Sequence, residues 1–253
     1  MADPRDLFDL SGRVACVTGA SSGLGRRAAD VLVRSGAKVV GVARRAEALE
    51  DWQSGVGADG AVVSADLSDR DGLSAVANQV AAPFGSPDIV VHAAGLNTRQ
   101  AADDVTAEGW DATIAINLSA PFFLTQALVP AMKERGWGRV VNFASLQTTR
   151  AFPGGISYGA TKGAVGQMTR AMAEAWSAHG ITANAIGPGF FPTELTEVVF
   201  ADPDRAARNA AQTCMGRNGA LQDLDGPLLF LCSDASAYVT GQVLMVDGGF
   251  TAK

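Results

Sequence analysis

Histidine and cysteine are scarce in this chain, and their scarcity argues against a structural zinc site. Only two histidines, His92 and His179, occur among the 253 residues, too few for a typical zinc ligand set. The three cysteines, Cys16, Cys214 and Cys232, are odd in number and lack metal-ligand spacing. Cys16 lies inside an apolar run, so we expect it to be a small buried core residue.

Long apolar runs and an excess of basic residues are also missing. The sequence contains no run of about 18 apolar residues, so we expect no transmembrane helix. Residues 1–6 lack the basic-then-apolar pattern of a signal peptide. The net charge of −6 argues against nucleic acid or an anionic membrane as a partner. We therefore expect a cytoplasmic protein whose partner is a small molecule.

The order of apolar segments predicts an α/β fold. Hydrophobic residues make up 47% of the chain and charged residues 18%, as in soluble domains with a large core. Short β-rich runs alternate with segments of helical period, which implies parallel strands joined by right-handed crossovers with helices on both faces. We predict strands over residues 14–18, 38–43, 61–65, 89–92, 139–144, 182–186 and 243–246. We predict helices over residues 23–35, 46–52, 69–84, 107–135, 158–179 and 224–231.

Such sheets bind ligands outside the carboxyl ends of their strands. Gly19, Gly95, Ser145 and Pro188 each follow a predicted strand, so all four are expected at that edge. Residues 187–222 are rich in proline, glycine, alanine and asparagine and have weak periodicity. We predict that this segment forms a lid over the substrate.

A glycine-rich turn near the amino terminus has the features of a phosphate site. Gly19, Gly23 and Gly25 follow a predicted strand and open a predicted helix, the context in which such glycines are informative. Without side chains the backbone can approach a pyrophosphate, and the helix N-terminus supplies amide donors. The alternative is an ordinary glycine-rich turn.

Tyr158 and Lys162 form the second group of candidate functional residues. At i and i+4 of a helix they would lie on one face, one turn apart. A positive neighbour favours the phenolate, which gives a hydroxyl able to exchange a proton as acid–base catalysis requires. Ser145 lies 13 residues upstream of Tyr158. A Tyr-x-x-x-Lys pattern alone is common, so its weight depends on its surroundings.

Taken in order, these motifs resemble the short-chain dehydrogenase/reductase family. The resemblance runs from about Leu10 to Gly249 and rests on the glycine-rich turn, Ala93-Ala94-Gly95, Asn117, Ser145, Tyr158, Lys162 and Pro188-Gly189. It implies one dinucleotide-binding catalytic domain over residues 1–253 with a Rossmann fold. The implied sheet is doubly wound, parallel and seven-stranded, and the implied cofactor is a nicotinamide dinucleotide.

The resemblance also implies a role for each member of an Asn-Ser-Tyr-Lys tetrad. Tyr158 would be the acid/base, and Lys162 would lower its pKa and bond the nicotinamide ribose. Ser145 would hold the substrate oxygen, and Asn117 would hold a water that joins Lys162 to solvent. The implied reaction interconverts a ketone and a secondary alcohol by hydride transfer. Taken singly, Ser145 could be a strand-end cap, Asn117 a helix kink and Tyr158 a core aromatic.

Further cofactor contacts follow from the same resemblance. Asp66 would bond the adenine amino group, although it could instead cap the following helix, and Thr193 would hold the nicotinamide carboxamide. The implied cofactor-binding set is Gly19, Ser21, Ser22, Gly23, Leu24, Gly25, Arg44, Asp66, Leu67, Ala94, Gly95, Tyr158, Lys162, Pro188, Gly189, Phe191 and Thr193.

The end of the second predicted strand favours NADP(H). Enzymes that use NAD usually place an acidic residue there, whereas this chain has Ala43-Arg44-Arg45. Guanidinium groups bind a 2′-phosphate through charge-assisted hydrogen bonds, and Arg44 is the better-placed clamp. Ser22 stands where the family often has a second basic residue, so NAD(H) stays open. Arg44 and Arg45 could also be a solvated pair.

Loops after the fourth, fifth and sixth strands supply the substrate candidates. These are Asn97, Ser145, Gln147, Phe152, Phe190 and Leu195. Residues 145–147 and 189–196 resemble the gluconate 5-dehydrogenase and polyol-type branch, and 3-oxoacyl-carrier-protein reductases are similar overall. The phenylalanines favour a partly apolar cavity suited to an aliphatic or aromatic ketone, or else they pack the lid. Arg99 and Arg150 could meet a carboxylate.

Other classes of protein fit less well. A non-catalytic NADP-sensing scaffold would be expected to lose Tyr158 or Lys162. Enoyl reductases of the related type space their tyrosine and lysine further apart. A nucleotide-sugar epimerase needs a larger carboxyl-terminal domain. His92 replaces an asparagine of the family pattern, and we expect it to be neutral and buried. The resemblance also implies a homotetramer, because family members commonly pair the helices over 107–135 and 158–179 across a two-fold axis, and small residues permit that close packing. They are Ala160, Gly163, Ala164, Gly166, Ala171, Ala173 and Ala175.

Overall fold

A computed structural model describes residues 3–253. Its single sheet has seven parallel strands in the order β3-β2-β1-β4-β5-β6-β7. The strands are β1 Val14–Thr18, β2 Lys38–Ala43, β3 Gly60–Ser64, β4 Ile89–His92, β5 Gly138–Phe143, β6 Ile181–Pro188 and β7 Val243–Val246. The strand order reverses between β1 and β4, the position at which doubly wound sheets open a ligand crevice.

Helices cover both faces of the sheet. They are α1 Gly23–Arg34, α2 Ala46–Val56, α3 Leu73–Ala81, α4 Ala107–Ile114, α5 Ala120–Arg135, α6 Ile156–Trp176, α7 Glu197–Phe200, α8 Pro203–Gln212 and α9 Asp225–Cys232. Because strand side chains alternate between faces, Ala15 and Val17 pack in one apolar core with α1, α2 and α9. Cys16 packs in a second core with α3, α5 and α6.

The α/β fold and the seven-stranded parallel sheet predicted from the sequence are confirmed. The largest error in the predicted boundaries concerns α3, which was expected over residues 69–84. The chain first makes a turn in which Asp69 Oδ1 accepts a hydrogen bond from the main-chain nitrogen of Asp71, 3.2 Å away. This local side-chain bond competes with helical pairing, so the helix begins only at Leu73.

The predicted lid segment contains two helices that the weak periodicity did not indicate. α8 begins where Asp202 Oδ1 accepts from the main-chain nitrogen of Arg205 at 3.1 Å, and Pro203 is its first residue. An Asp-Pro start is a usable signal. α8 buries none of its side chains, so its apolar pattern was too weak to show.

The helical run Ala107–Arg135 includes a π-helical turn at Ala115–Ser119. By length and composition alone this 29-residue run could span a membrane, since an 18-residue stretch has a mean hydropathy of 1.5. A buried core helix passes the same test, so this criterion does not decide the expectation that the chain has no transmembrane helix. In the fold Leu124, Leu128 and Met132 enter the second core, as expected of a core helix.

Two expectations about buried side chains are confirmed. Cys16 is fully buried, and burial raises the pKa of its thiol to about 12. The His92 ring nitrogen Nε2 lies 2.7 Å from Thr125 Oγ1, and burial lowers the pKa of the imidazole to about 3. His92 is therefore neutral and connects β4 to α5.

The neutral state of His92 predicts an acid-dependent loss of stability. Its pKa of about 3 in the fold lies below the ordinary value of 6.5, so between these values the unfolded chain binds the extra proton. Stability therefore falls as pH drops from 6.5 toward 3. We expect this one group to cost about 2 kcal/mol between about pH 7 and about pH 5.

Urea unfolding at these two pH values measures the effect. The substitution His92→Asn, which removes the titrating group, should reduce the acid-dependent loss by about that amount, whereas His179→Asn at an exposed position should leave it unchanged. An undiminished loss in His92→Asn would show that this imidazole does not titrate as described.

Candidate active site

The carboxyl ends of the strands open onto a cleft of about 820 Å³. Every cofactor and substrate contact predicted from the sequence lines this cleft, with the exception of Arg150. Of the predicted tetrad, Ser145, Tyr158 and Lys162 reach the cleft surface, and Asn117 is buried behind it. Residues from six strand ends and from the predicted lid segment thus meet in one place.

The glycine-rich turn is shaped by close backbone packing. Gly19 has a φ of +73°, and a Cβ there would lie 2.7 Å from the main-chain nitrogen of Ala94. At Gly25 a Cβ would lie 2.3 Å from the carbonyl oxygen of Gly19. No side chain fits at either position. The chain can therefore turn directly from β1 into α1 against the loop that follows β4.

The first turn of α1 fits a phosphate group. Ser22 occupies the N-cap position, but its side chain makes no capping hydrogen bond and the first helical turn contains no acidic residue. The first amide groups of a helix lack partners within the helix and carry positive potential. Ser21 to Gly25 line the cleft, so these residues would hold the pyrophosphate of a dinucleotide.

Tyr158 and Lys162 lie on the inner face of α6, with 8% and 4% of their surfaces exposed. Lys162 Nζ donates a hydrogen bond to the carbonyl oxygen of Phe143, 2.5 Å away, and lies 5.4 Å from the centroid of the Tyr158 ring. Burial lowers the pKa of Lys162 to about 8. The end of β5 therefore fixes the ammonium group beside the tyrosine.

The implied lowering of the Tyr158 pKa by Lys162 is wrong for this structure. Burial raises the pKa of Tyr158, while the adjacent Ser145 hydroxyl and the charge of Arg99 act in the opposite direction. The Lys162 ammonium is held by the Phe143 carbonyl and faces the ring of Tyr158. Desolvation of the phenol therefore dominates.

Asn117 lies in the π-helical turn and ties two elements of the site together. Its Oδ1 accepts from the main-chain nitrogen of Leu96 at 2.8 Å, and its Nδ2 donates to the Leu96 carbonyl at 2.8 Å. Nδ2 also donates to Thr161 Oγ1 at 3.1 Å, and that hydroxyl donates to the Tyr158 carbonyl at 2.7 Å. Both amide hydrogens are used, so this side chain has none left to donate to the implied water.

Ser145 has the capping role, and its position leaves the second role, contact with a substrate oxygen, compatible with the geometry. Its Oγ accepts from the main-chain nitrogen of Gln147 at 3.1 Å and caps the 3₁₀ turn Leu146–Thr148. Since Oγ is the acceptor in this bond, its hydroxyl hydrogen can still be donated. Ser145 lies beside Tyr158 in the cleft, so a substrate oxygen between them could receive two hydrogen bonds.

Arg99 has an unusual backbone conformation in this cleft. Its φ is +55°, the only positive value at a non-glycine residue among residues 3–253. Asn97 Oδ1 accepts from the main-chain nitrogen of Arg99 at 3.1 Å, and the Arg99 guanidinium donates to the carbonyl of Leu195 in the lid. Strained backbone of this kind is found mostly at functional sites. The turn directs the guanidinium across the cleft.

Three phenylalanines form an apolar cluster at the same end. The ring centroids of Phe152 and Phe190 are 6.1 Å apart, and Phe250 packs against them at 6.2 Å and 5.9 Å. Phe250 follows β7 and was not predicted, because nothing in the sequence indicated that the carboxyl-terminal segment returns to this site. Phe191 is buried, and its ring would contact a Cβ at Gly219.

Two other predicted contacts need correction or qualification. Arg150 donates to the main-chain oxygens of Thr251 and Lys253 at 3.5 Å and 2.7 Å and does not line the cleft. The prediction that it meets a substrate carboxylate is therefore wrong. Asp66 lines the cleft, but its Oδ1 accepts from the nitrogen and hydroxyl of Ser68 at 2.9 Å and 2.8 Å. That bond closes a local turn and is not the expected helix cap, because α3 begins only at Leu73 with Gly72 at its N-cap.

Several cleft residues were missed in the sequence. Arg205 and Asn209 of α8 line it, as do Arg45 and Glu194. Arg45 Nη1 donates to Glu194 Oε1 at 2.9 Å, which connects the end of β2 to the lid. These two residues are 149 positions apart in the sequence, so no local pattern could have paired them.

The cleft has the parts of a dinucleotide-dependent oxidoreductase, and comparison with known proteins agrees. The family model described as Enoyl-(Acyl carrier protein) reductase matches residues 19–251. Gluconate 5-dehydrogenase from Gluconobacter oxydans is 43% identical over 249 residues, covering 97% of each chain. The 3-oxoacyl-[acyl-carrier-protein] reductase of Escherichia coli is 34% identical over 245 residues, covering 96% of this chain and 98% of that protein.

Solved structures give the same result. The crystal structure of a gluconate 5-dehydrogenase from Burkholderia cenocepacia, in complex with NADP and tartrate, superposes with a TM-score of 0.92 at 34% identity and covers 98% of both chains. The chain belongs to the short-chain dehydrogenase/reductase family. It is an NAD(P)-dependent oxidoreductase that acts on CH-OH groups. The relatives named here catalyse different reactions, so the family match does not define the substrate.

Proposed function

We propose that this enzyme uses NADP(H) to interconvert a secondary alcohol and a ketone in a small hydroxylated carboxylate, such as a sugar acid. The observation that carries the proposal is Arg99, whose guanidinium lines the cleft close enough to Tyr158 to oppose the rise in the phenol's pKa. A carboxylate would pair with this cation through charge-assisted hydrogen bonds. The relative from Gluconobacter is named a gluconate dehydrogenase, and tartrate, bound in the Burkholderia structure, is a hydroxylated dicarboxylate.

The end of β2 supports the choice of NADP(H). β2 ends at Ala43, and Arg44 and Arg45 line the cleft directly after it. Among residues 3–253 no side chain forms an ion pair with Arg44, so its guanidinium is available to a 2′-phosphate. No carboxylate follows β2 to bond the ribose hydroxyls. When bound, the cofactor supplies or accepts the hydride.

The catalytic roles follow from the positions of the side chains. Tyr158 would donate its proton to the carbonyl oxygen during reduction and accept it during oxidation. Ser145 would hold that oxygen, and Lys162 would bond the nicotinamide ribose. Since burial raises the pKa of Tyr158, the phenol is protonated at neutral pH. Alcohol oxidation requires the phenolate, so its rate should rise with pH.

A second candidate substrate is favoured by the apolar cluster of Phe152, Phe190 and Phe250. Phe152 and Phe190 line the cleft, and Phe250 packs against both rings at 6.2 Å and 5.9 Å. This apolar surface would suit the aliphatic or aromatic part of a ketone or a 3-oxoacyl thioester. The Escherichia coli relative is named a 3-oxoacyl-carrier-protein reductase. Arg99 and the polar residues Asn97 and Gln147 favour the sugar acid.

The decisive experiment is a substrate panel with both cofactors. Sugar acids, uncharged polyols, aliphatic ketones and 3-oxoacyl thioesters would each be assayed through the absorbance of the reduced nicotinamide. The proposal expects the highest kcat/KM for a sugar acid with NADP(H). A higher value for a thioester or an uncharged ketone would support the second candidate, and a preference for NAD(H) would refute the choice of cofactor.

The catalytic assignment predicts the effect of removing one oxygen atom. Tyr158→Phe should lower kcat by about 10²–10⁴-fold, as expected for loss of a general acid, while the affinity for NADP⁺ remains. Steady-state kinetics and calorimetry measure the two quantities. Tyr238→Phe is the matched control because Tyr238 is fully exposed, and it should be neutral. A near-normal kcat in Tyr158→Phe would refute the assignment.

The carboxylate site predicts a charge-selective effect. Arg99→Gln should raise KM for a sugar acid by about 10-fold or more, the value of one hydrogen bond to a charged group, and should affect an uncharged polyol much less. Arg150→Gln, at the arginine held by the carboxyl-terminal segment, should leave both values unchanged. Equal losses for charged and uncharged substrates in Arg99→Gln would show that Arg99 only shapes the cleft.

We also propose that the whole chain is one catalytic domain, with residues 187–222 as its lid, and that it works in the cytoplasm as a homotetramer. β7 is an edge strand, and its Leu244 is 37% exposed. On α6, Ala160 is exposed, although Gly166 and Ala173 are buried within the subunit. A free sheet edge and a helix with small residues suit two different two-fold contacts.

Light scattering tests the assembly. A particle near four times 26.0 kDa would agree with the tetramer, and one of 26.0 kDa would exclude it.

A further inference from the structure

At the nucleotide end of the cleft, Arg45 makes more side-chain hydrogen bonds than its neighbour Arg44. Arg45 Nη2 donates to Ser21 Oγ at 3.0 Å, to Ser22 Oγ at 2.8 Å and to Glu194 Oε2 at 3.0 Å, and Nη1 donates to Glu194 Oε1 at 2.9 Å. Ser22 Oγ also donates to Glu194 Oε2 at 3.0 Å. A lid carboxylate is thus bound to the glycine-rich turn through one guanidinium.

Arg45 therefore brings a positive charge to the turn where Ser22 supplies none. The family pattern often has a basic residue at the position of Ser22, and here the Arg45 guanidinium contacts the Ser22 hydroxyl instead. Ser21, Ser22, Arg44 and Arg45 all line the same part of the cleft. The position suits the phosphate of an adenosine ribose, yet the bidentate acceptor of Arg45 is Glu194.

We propose that Glu194 is a specificity-determining residue whose carboxylate competes with the 2′-phosphate of the cofactor for Arg45. The inference rests on the proposed use of NADP(H). As a consequence, the enzyme prefers phosphorylated over unphosphorylated dinucleotides by a smaller factor than Arg44 and Arg45 would give without the Glu194 carboxylate.

The two anions that compete for Arg45, the Glu194 carboxylate and the 2′-phosphate, differ in how strongly they bind a guanidinium. The Arg45 and Glu194 side chains are 51% and 61% exposed, and exposed ion pairs are weak. Hydrogen bonding to Arg45, with a smaller contribution from Ser22, lowers the pKa of Glu194, so its carboxylate is charged at neutral pH. A phosphate monoester carries more charge and three acceptor oxygens. It can therefore displace the carboxylate, but part of its binding energy is used to do so.

The position of Glu194 connects this competition to the lid. Glu194 directly follows Thr193, whose side chain packs against Gly23 of the glycine-rich turn. Displacing the Glu194 carboxylate from Arg45 removes the ion pair that joins the start of the lid to the end of β2. The nucleotide phosphate and the start of the lid thus compete for the same guanidinium.

Calorimetry with two nucleotide fragments tests the inference without turnover. The probes are adenosine 2′,5′-bisphosphate and adenosine 5′-monophosphate, titrated into the full chain. Glu194→Gln, which keeps the shape and removes the charge, should tighten the bisphosphate by about three- to fivefold, the value of an exposed ion pair. Binding of the monophosphate should be unchanged. Glu197→Gln, at an exposed acid of the same lid, is the control for net charge.

A double-mutant cycle assigns the effect to Arg45. In an Arg45→Gln background, Glu194→Gln should no longer tighten the bisphosphate, because the contested guanidinium is gone. A gain that persists there would show simple charge repulsion and overturn the inference. So would an equal gain for both nucleotides, an equal gain in Glu197→Gln, or no gain at all.

The same titrations separate this inference from the proposed cofactor. If neither the wild-type chain nor Glu194→Gln prefers the bisphosphate, the proposal of NADP(H) fails. If the wild type prefers it and Glu194→Gln matches the wild type, only the role of Glu194 fails.

Discussion

The side-chain amide of Asn117 connects parts of the site that the chain supplies far apart. Its three hydrogen bonds join the loop after β4, at Leu96, to Thr161 in the amino-terminal part of α6. In that loop the main chain of Ala94 lies against Gly19 of the glycine-rich turn, and the same part of α6 carries Tyr158. The π-helical bulge brings the amide to this position, as such bulges often do at functional sites. One buried polar group therefore fixes the position of the cofactor-binding turn relative to the acid–base residue Tyr158.

Burial then sets the electrostatics of the catalytic residues. Lys162 and Tyr158 are both nearly inaccessible, and in each case desolvation favours the neutral form. The Phe143 carbonyl at the end of β5 gives Lys162 its hydrogen bond. Three positively charged side chains, Arg44, Arg45 and Arg99, lie instead at the exposed rim of the cleft. The arrangement separates a low-dielectric centre, where protons are exchanged, from a basic rim that can attract anions.

Much of the fold and many of the cleft residues could be predicted from the sequence, because alternating strand and helix patterns are local. The glycine-rich turn is equally local, since Gly19 and Gly25 leave no room for a Cβ. Contacts set by long-range packing could not be predicted. Three such contacts join residues that are far apart in the sequence. They are the packing of Phe250 against Phe152 and Phe190, the ion pair of Arg45 with Glu194, and the hydrogen bonds of Arg150 to the carboxyl-terminal segment. The pKa of Tyr158 also escaped prediction, because helical spacing gives proximity but not the degree of burial.

The environment of Lys162 has a chemical consequence of its own. With its pKa lowered to about 8, a substantial fraction of this amine is unprotonated at mildly alkaline pH, and an unprotonated amine is a nucleophile. An unperturbed lysine side chain, with a pKa of about 10.4, stays protonated there. A small amine-reactive acylating reagent that enters the cleft would therefore modify Lys162 preferentially. Because the cofactor would cover this amine, the extent of acylation would report what fraction of the protein carries a bound dinucleotide.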